Sequence, residues 1–225
     1  MSQDLMEDIS IDCVLFGLDE RLKVLLVKHA SDPIKDKWAL PGGYVTYEES
    51  LDDSAHRVLF ALTGLRELFL EQLGAFGDVD RFPERRVVTV AYYSLVYDFD
   101  HTLKAGFTAS EAQWFDVDNL PDLPYDHGKI LRSALEKLKA RVKQEPIGFN
   151  LLPEKFTLLQ LQHLYESVLE IKFDKPNFRR KILKTGLLVN CNEKQHPVSY
   201  RAAKLYRFDE LAYRRLRENK FVLDW

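Results

Sequence analysis

GGYVTYEESLDDSAHRVLFALTG, residues 42–64, changes character halfway along. Behind Pro41, the pair Gly42-Gly43 predicts a tight loop of the kind that handles phosphates. Four carboxylates follow, at Glu48, Glu49, Asp52 and Asp53, and then the acidic residues stop. Leu51, Ala55, Val58, Leu59 and Leu62 recur at i, i+4, i+7, i+8 and i+11, which predicts a helix from about Glu48 to Leu62. Its acidic start suits the positive end of a helix dipole, and Gly64 supplies the stop.

Upstream, IDCVLFGL (11–18) and LKVLLVKH (22–29) are two β-rich runs joined by a short polar turn, which predicts a hairpin. Downstream, LFLEQLGAFG (68–77), RVVTVAYYSLVYDF (86–99) and EAQWFDV (111–117) read as strands. Residues 126–145 form an amphipathic helix with Ile130, Leu131, Ala134, Leu135 and Leu138 inward. Hairpin-connected strands with two helices predict an α/β sandwich over residues 1–145.

PIGFNLLPEKF (146–156), with two prolines and a glycine between charged helices, reads as a linker. The pattern then changes. Thr157 and Gln160 make a capping box before LLQLQHLYESVL. DKPNFRRKILKTG (174–186) has an Asp N-cap, an early proline and a terminal glycine. Two short strands, LLVNC and KLYRF, flank the polar loop NEKQHPVSYRAA, and a last helix begins near Asp209. Helix, short helix and basic hairpin, in that order, predict a winged helix-turn-helix over residues 157–225. Charge follows the same division. Residues 152–225 carry 15 Lys and Arg against 9 Asp and Glu, a net of +6, leaving −9 for residues 1–151 within a total of −3. A basic half beside an acidic one points to two domains with different partners, nucleic acid among them. The plainer alternative is a solvated basic face.

Hydrophobic residues make up 46% of the chain, enough for a core in each half. Cys13 and Cys191 have no Cys or His at metal-ligand spacing and read as reduced, buried thiols. No apolar run approaches the roughly 18–20 residues of a membrane span. The acidic start MSQDLMEDIS has no signal-peptide pattern, so the expectation is a cytoplasmic protein that does not engage a membrane.

Gly43, Glu49, Arg57, Leu59, Gly64 and Leu65 resemble the Nudix box, which in that family reads G-x5-E-x7-R-E-U-x-E-E-x-G-U with U aliphatic. The two preceding strands and the strand from Ala112 to Phe115 fit the family's order, and the resemblance covers about residues 8–145. In the family, three glutamates after the arginine hold the Mg²⁺ that bridges a diphosphate and activates water, because a hard cation needs several oxygen ligands. This chain has Val58, Ala61 and Leu62 there. The remaining carboxylates lie one to three turns upstream, and one turn displaces a ligand by about 5 Å along the axis. The resemblance therefore implies the box scaffold, with Arg57 pairing to Glu49 or Asp53, without the hydrolytic machinery. No catalytic residue, metal or cofactor is assigned.

A Nudix-like domain joined to a basic winged helix resembles the Nudix-related transcriptional regulators of bacterial metabolic operons. With the junction PIGFNLLPEKFTLLQLQHLYE, this resemblance covers almost the whole chain. It implies an α+β protein: a Nudix-like α/β/α sandwich with a mixed sheet that senses a small molecule, then a winged helix that binds operator DNA. Family members respond to ADP-ribose in control of NAD synthesis, or to a pentose in sugar utilisation. GAFG followed by DVDRFPERRVV leans toward the sugar-responsive members.

For the effector, Arg81 and Arg86 suit a phosphate or sugar hydroxyls beside the Gly42-Gly43 loop, with Asp80 adjacent. Trp38 and Tyr44 read equally as stacking platforms for a sugar or base and as core. His127 reads as a helix cap. For DNA, Lys175, Asn177, Arg179, Arg180 and Lys181 populate the candidate recognition helix, where Arg matches guanine, Asn matches adenine and the cations anchor phosphate. Lys194, Gln195, His196, Arg201 and Lys204 offer a wing. A two-fold operator predicts a homodimer. Two other readings stand beside this one: a hydrolase of nucleoside diphosphate compounds with residual activity, and a protein- or RNA-binding adaptor.

Overall fold

The computed structural model describes residues 4–18, 21–66, 68–97, 103–106, 108–144, 152–195 and 202–218. Contacts divide the chain into two compact units, Met1–Lys137 and Leu138–Trp225.

In the first unit, β1 (Leu5–Leu18), β2 (Leu22–His29), β3 (Trp38–Ala39), β4 (Gly42–Thr46), β5 (Glu71–Phe76), β6 (Val88–Tyr97) and β7 (Ala109–Asp116) make a seven-stranded sheet. Its central path runs β3-β2-β1-β6-β5, with β4 on β1 and β7 on β2. β1 and β6 are parallel and the other pairs are antiparallel, so the sheet is mixed. β1 starts at Leu5, upstream of the expected run, because its first half pairs with β4 and its last residues pair with β2.

The helix α1 (Leu51–Thr63) starts behind its N-cap Ser50, whose side chain accepts from Asp53 N. It ends at Gly64, whose φ of 77° is left-handed and favours glycine. Ala55 and Leu59 pack on Ile11, Cys13, Leu15 and Leu25. Strand alternation sends Asp12 to the opposite face, toward α2 (His127–Gln144). Ile130, Leu131 and Ala134 are buried within the first unit. Leu135, expected inward, is only half-buried, and α2 continues into the second unit through the buried Leu138 and Val142.

The loop expected at Gly42-Gly43 is instead the start of β4. Gly42 pairs with Asp12 and Gly43 with Ile11. A Cβ on Gly42 would meet Asp12 Oδ1 at 2.4 Å, and one on Gly43 would meet Val58 Cγ2 at 3.1 Å. These glycines serve close approach rather than a turn.

In the second unit, β8 (Phe156–Thr157), β10 (Lys204–Phe208) and β9 (Leu188–Lys194) form a three-stranded sheet in that order. Helix α3 (Leu158–Leu169) opens with the full capping box of Thr157 and Gln160. Helix α4 (Lys175–Lys184) is capped by the Asp174 side chain, which accepts from Asn177 N, and α5 (Glu210–Glu218) follows β10. Phe156, Leu161, Leu164, Tyr165, Val168, Phe178, Ile182 and Leu187 are its buried core. Two helices followed by a β-hairpin make this a winged helix.

Candidate effector site and nucleic-acid interface

Arg57 clasps the loop between β4 and α1. Its Nε donates to Glu49 Oε2 at 2.8 Å, and its Nη2 donates to Glu49 Oε1 and to the Tyr44 carbonyl. Glu49 also accepts from Thr46 N at 2.9 Å. The Arg57 guanidinium bonded to it holds the Glu49 carboxyl down at about 2. Of the two partners open to Arg57 in the sequence, Glu49 is the one engaged. Asp53 is taken up by the Ser50 cap.

The three positions that would carry Mg²⁺ ligands face a different environment. Val58 and Leu62 are 4% and 2% exposed and pack with Val27 and Ala109. At Ala61 a Cβ added to Gly106 would lie 2.8 Å from the carbonyl, so the segment 103–106 runs close against the helix. Hydrocarbon side chains in a packed cluster do not fit a hard divalent cation. Among the described residues, no group of three or more His, Cys, Asp or Glu is placed to hold a metal ion.

Arg81 is buried in a cluster that the sequence did not reveal. Its Nε and Nη2 donate to Asp126 at 3.0 and 2.8 Å, and Nη2 reaches Asp12 at 3.2 Å. His127 is also buried. Its Nδ1 accepts from Leu40 N at 3.1 Å and its Nε2 faces Asp12 Oδ1 at 3.6 Å, so the expected capping role gives way to a tie between α2 and the chain entering β4. Burial lowers the His127 pKa, against the pull of Asp12 and Asp126. A neutral ring with its proton on Nε2 satisfies both neighbours.

Arg86 does not share this setting. It is exposed, with Nη1 donating to the Asp78 carbonyl at 2.8 Å, and Asp80 is exposed on the same segment. Trp38 packs edge-on to Phe115 at 4.9 Å. Tyr44 lies under the Arg85 guanidinium at 5.0 Å, and Arg85 also pairs with Glu7. Sequence reasoning missed Asp12, Asp126 and Arg85. Asp12 left a signal, as a single charge inside the apolar run 11–18.

On α4, Lys175, Asn177, Arg179, Arg180 and Lys181 are exposed, while Phe178 and Ile182 are buried. Arg180 Nη2 donates to Asn177 Oδ1 at 2.6 Å, so the two are presented as a unit. Lys194 and Lys204 are exposed and lie opposite one another where β9 and β10 enter the wing. Gln195 N donates to the Ala203 carbonyl at the same end. His196 and Arg201 fall outside the described residues.

Comparison with known proteins agrees with both halves. The NUDIX domain profile matches residues 6–138, and that of the NrtR DNA-binding winged helix domain matches residues 148–208. The chain is 31% identical over 205 residues to the ADPR-responsive transcriptional repressor NtrR of Acinetobacter baylyi, covering 89% of this chain and 81% of that one. It is 37% identical over 113 residues to the ADP-ribose pyrophosphatase of Methanocaldococcus jannaschii, covering 50% and 66%. Shewanella oneidensis NrtR, solved with a 27mer DNA, superposes with a TM-score of 0.74 at 28% identity, over 92% of this chain and 95% of that one. The NUDIX domain of the same protein with ADP ribose gives 0.54 at 30% identity, over 61% and 90%. The chain therefore belongs to the NUDIX family and carries, after its NUDIX domain, a winged helix DNA-binding domain of the NrtR kind.

Proposed function

We propose that this chain is an ADP-ribose-responsive transcriptional repressor of NAD-related genes, whose Nudix domain senses its ligand without cleaving it. The observation that carries the reading is α4, which buries Phe178 and Ile182 and leaves Lys175, Asn177, Arg179, Arg180 and Lys181 exposed on a winged helix. That is the residue set that reads base edges and anchors phosphates. Similarity to the repressor of Acinetobacter baylyi over most of both chains supports ADP-ribose over a pentose as the effector. Hydrocarbon at Val58, Ala61 and Leu62 supports sensing over hydrolysis.

In this reading, residues 1–145 bind the effector, 146–156 link, and 157–225 bind DNA as one half of a cytoplasmic homodimer. Arg86, exposed with further guanidinium donors available, is assigned to the diphosphate, and Asp80, Gly42, Gly43, Trp38 and Tyr44 are proposed as further effector-binding residues. Arg81, committed to Asp126 and Asp12, takes a structural part in this reading rather than a direct contact with the ligand.

The test is binding of the purified chain to a duplex from upstream of its own gene, titrated with salt, with and without ADP-ribose or L-arabinose. Tight binding that Arg179→Ala/Arg180→Ala loses and ADP-ribose alone weakens is expected. A response to L-arabinose alone would transfer the reading to sugar utilisation. Weak binding, equal on every duplex and erased by moderate salt, would end it. The likeness to the pyrophosphatase keeps hydrolysis as a second reading, which release of AMP and ribose 5-phosphate from ADP-ribose with Mg²⁺ would establish.

A further inference from the structure

The turn between α3 and α4 is tied at its first residue, where Glu170 pairs with Lys139 at 2.7 Å. It starts at Glu170, whose φ of 55° is left-handed, and passes through exposed Ile171 and Lys172 to Phe173, just before the Asp174 cap. Only Phe173 packs inward, its ring 5.2 Å from that of Phe178. Yet both backbone polar groups of Phe173 are caught by side chains of α3. Phe173 N donates to Glu166 Oε1 at 2.9 Å. The Phe173 carbonyl accepts from Gln162 Nε2 at 3.2 Å, and the same Nε2 donates to Glu166 Oε1 at 2.9 Å.

These contacts come at a cost the fold could have avoided. Gln162 is 6% exposed, its Oε1 is buried with no partner, and the Glu166 side chain is 9% exposed. Lys172, 3.6 Å from Glu166, has a 92% exposed side chain and compensates little. A desolvated carboxylate and a half-satisfied amide are unfavourable unless their bonds do something specific. Two acceptors around Nε2 fix the amide orientation.

We propose that Gln162 and Glu166 are positioning residues for DNA reading: they hold Phe173 by its N–H and C=O and so fix how α4 is presented to the duplex. This rests on the DNA-reading function proposed above. Lysines and arginines on a tilted α4 still find phosphates, because that attraction is not directional. Bidentate contacts to base edges do not survive such a tilt. Loss of the clamp therefore lowers affinity for the specific site and spares affinity for DNA in general.

The experiment uses the full-length chain. The wild type selects its site from random-sequence duplexes, and variants are measured on that site and on a scrambled one at the same salt. Glu166→Ala and Glu166→Gln remove the same charge, but the glutamine keeps an acceptor for Phe173 N. Gln162→Met keeps the shape and removes both donations. Glu166→Ala and Gln162→Met are expected to lose about tenfold on the selected site and about twofold or less on the scrambled one, the size of a missed base pair. Glu166→Gln is expected to stay close to the wild type on both. Thermal unfolding of each variant checks the fold; if Glu166→Ala unfolds, Gln162→Met against Glu166→Gln carries the comparison. An unchanged ratio of specific to scrambled affinity, or Glu166→Gln falling as far as Gln162→Met, overturns the clamp. A wild type that selects no sequence overturns the DNA-reading function and the clamp with it.

Discussion

Arg81 donates through Nε and Nη2 to two carboxylates, and no contact in its sequence neighbourhood announces this. Asp12 and Asp126 lie 69 and 45 residues away, so the cluster is a product of tertiary structure. Arg81→Ala strands the buried carboxylate of Asp12 and the mostly buried one of Asp126, and is expected to cost about 3–5 kcal/mol, read from urea unfolding. Gly42→Ala presses a methyl onto Asp12 Oδ1, on a carboxylate that Arg81 holds through its other oxygen, Oδ2, and is expected to cost about 1–3 kcal/mol in the same assay. The Glu49–Arg57 pair has a pH signature. The Glu49 carboxyl sits near 2 when folded, below its ordinary value of 4.5, so its contribution is complete above about pH 5 and is lost as pH falls toward 2. Acid unfolding of Glu49→Gln should show a shallower loss over that window; an identical profile would mean that Arg57 does not hold the carboxyl down.

Elements with a strong local period were legible in the sequence. Both sandwich helices, the β1–β2 hairpin, the Thr157 capping box and the Asp174 cap follow from spacing and cap chemistry, which act within a few residues. β4 was not legible, because a Pro-Gly-Gly triplet signals a loop locally and only the neighbouring strand shows that the glycines allow close approach. The two-residue strands β3 and β8 are too short to carry a period. The same division applies to the site. Exposed cations on α4 could be counted from a helical wheel, whereas the separation of Arg81 from Arg86 depends on how the segment 77–87 folds back. Thr157→Ala removes one half of the capping box and should cost about 1 kcal/mol in thermal unfolding of the full chain. No measurable change would mean that β8 alone fixes the start of α3.

At the scale of the whole molecule, an acidic half and a basic half sit in one chain of net charge −3. Under the proposed function, coupling between them would be reciprocal: a ligand that weakens operator binding by some factor is itself bound more weakly by that factor on the operator complex. The measurement that tests the central claim most directly is a time course of operator release by ADP-ribose in the presence of Mg²⁺. A sensor without hydrolysis releases the duplex and keeps it released for as long as the mixture is followed, with ADP-ribose recovered intact. Release that decays as AMP accumulates would show that the domain consumes its ligand, and no release at all would show that ADP-ribose is not its effector.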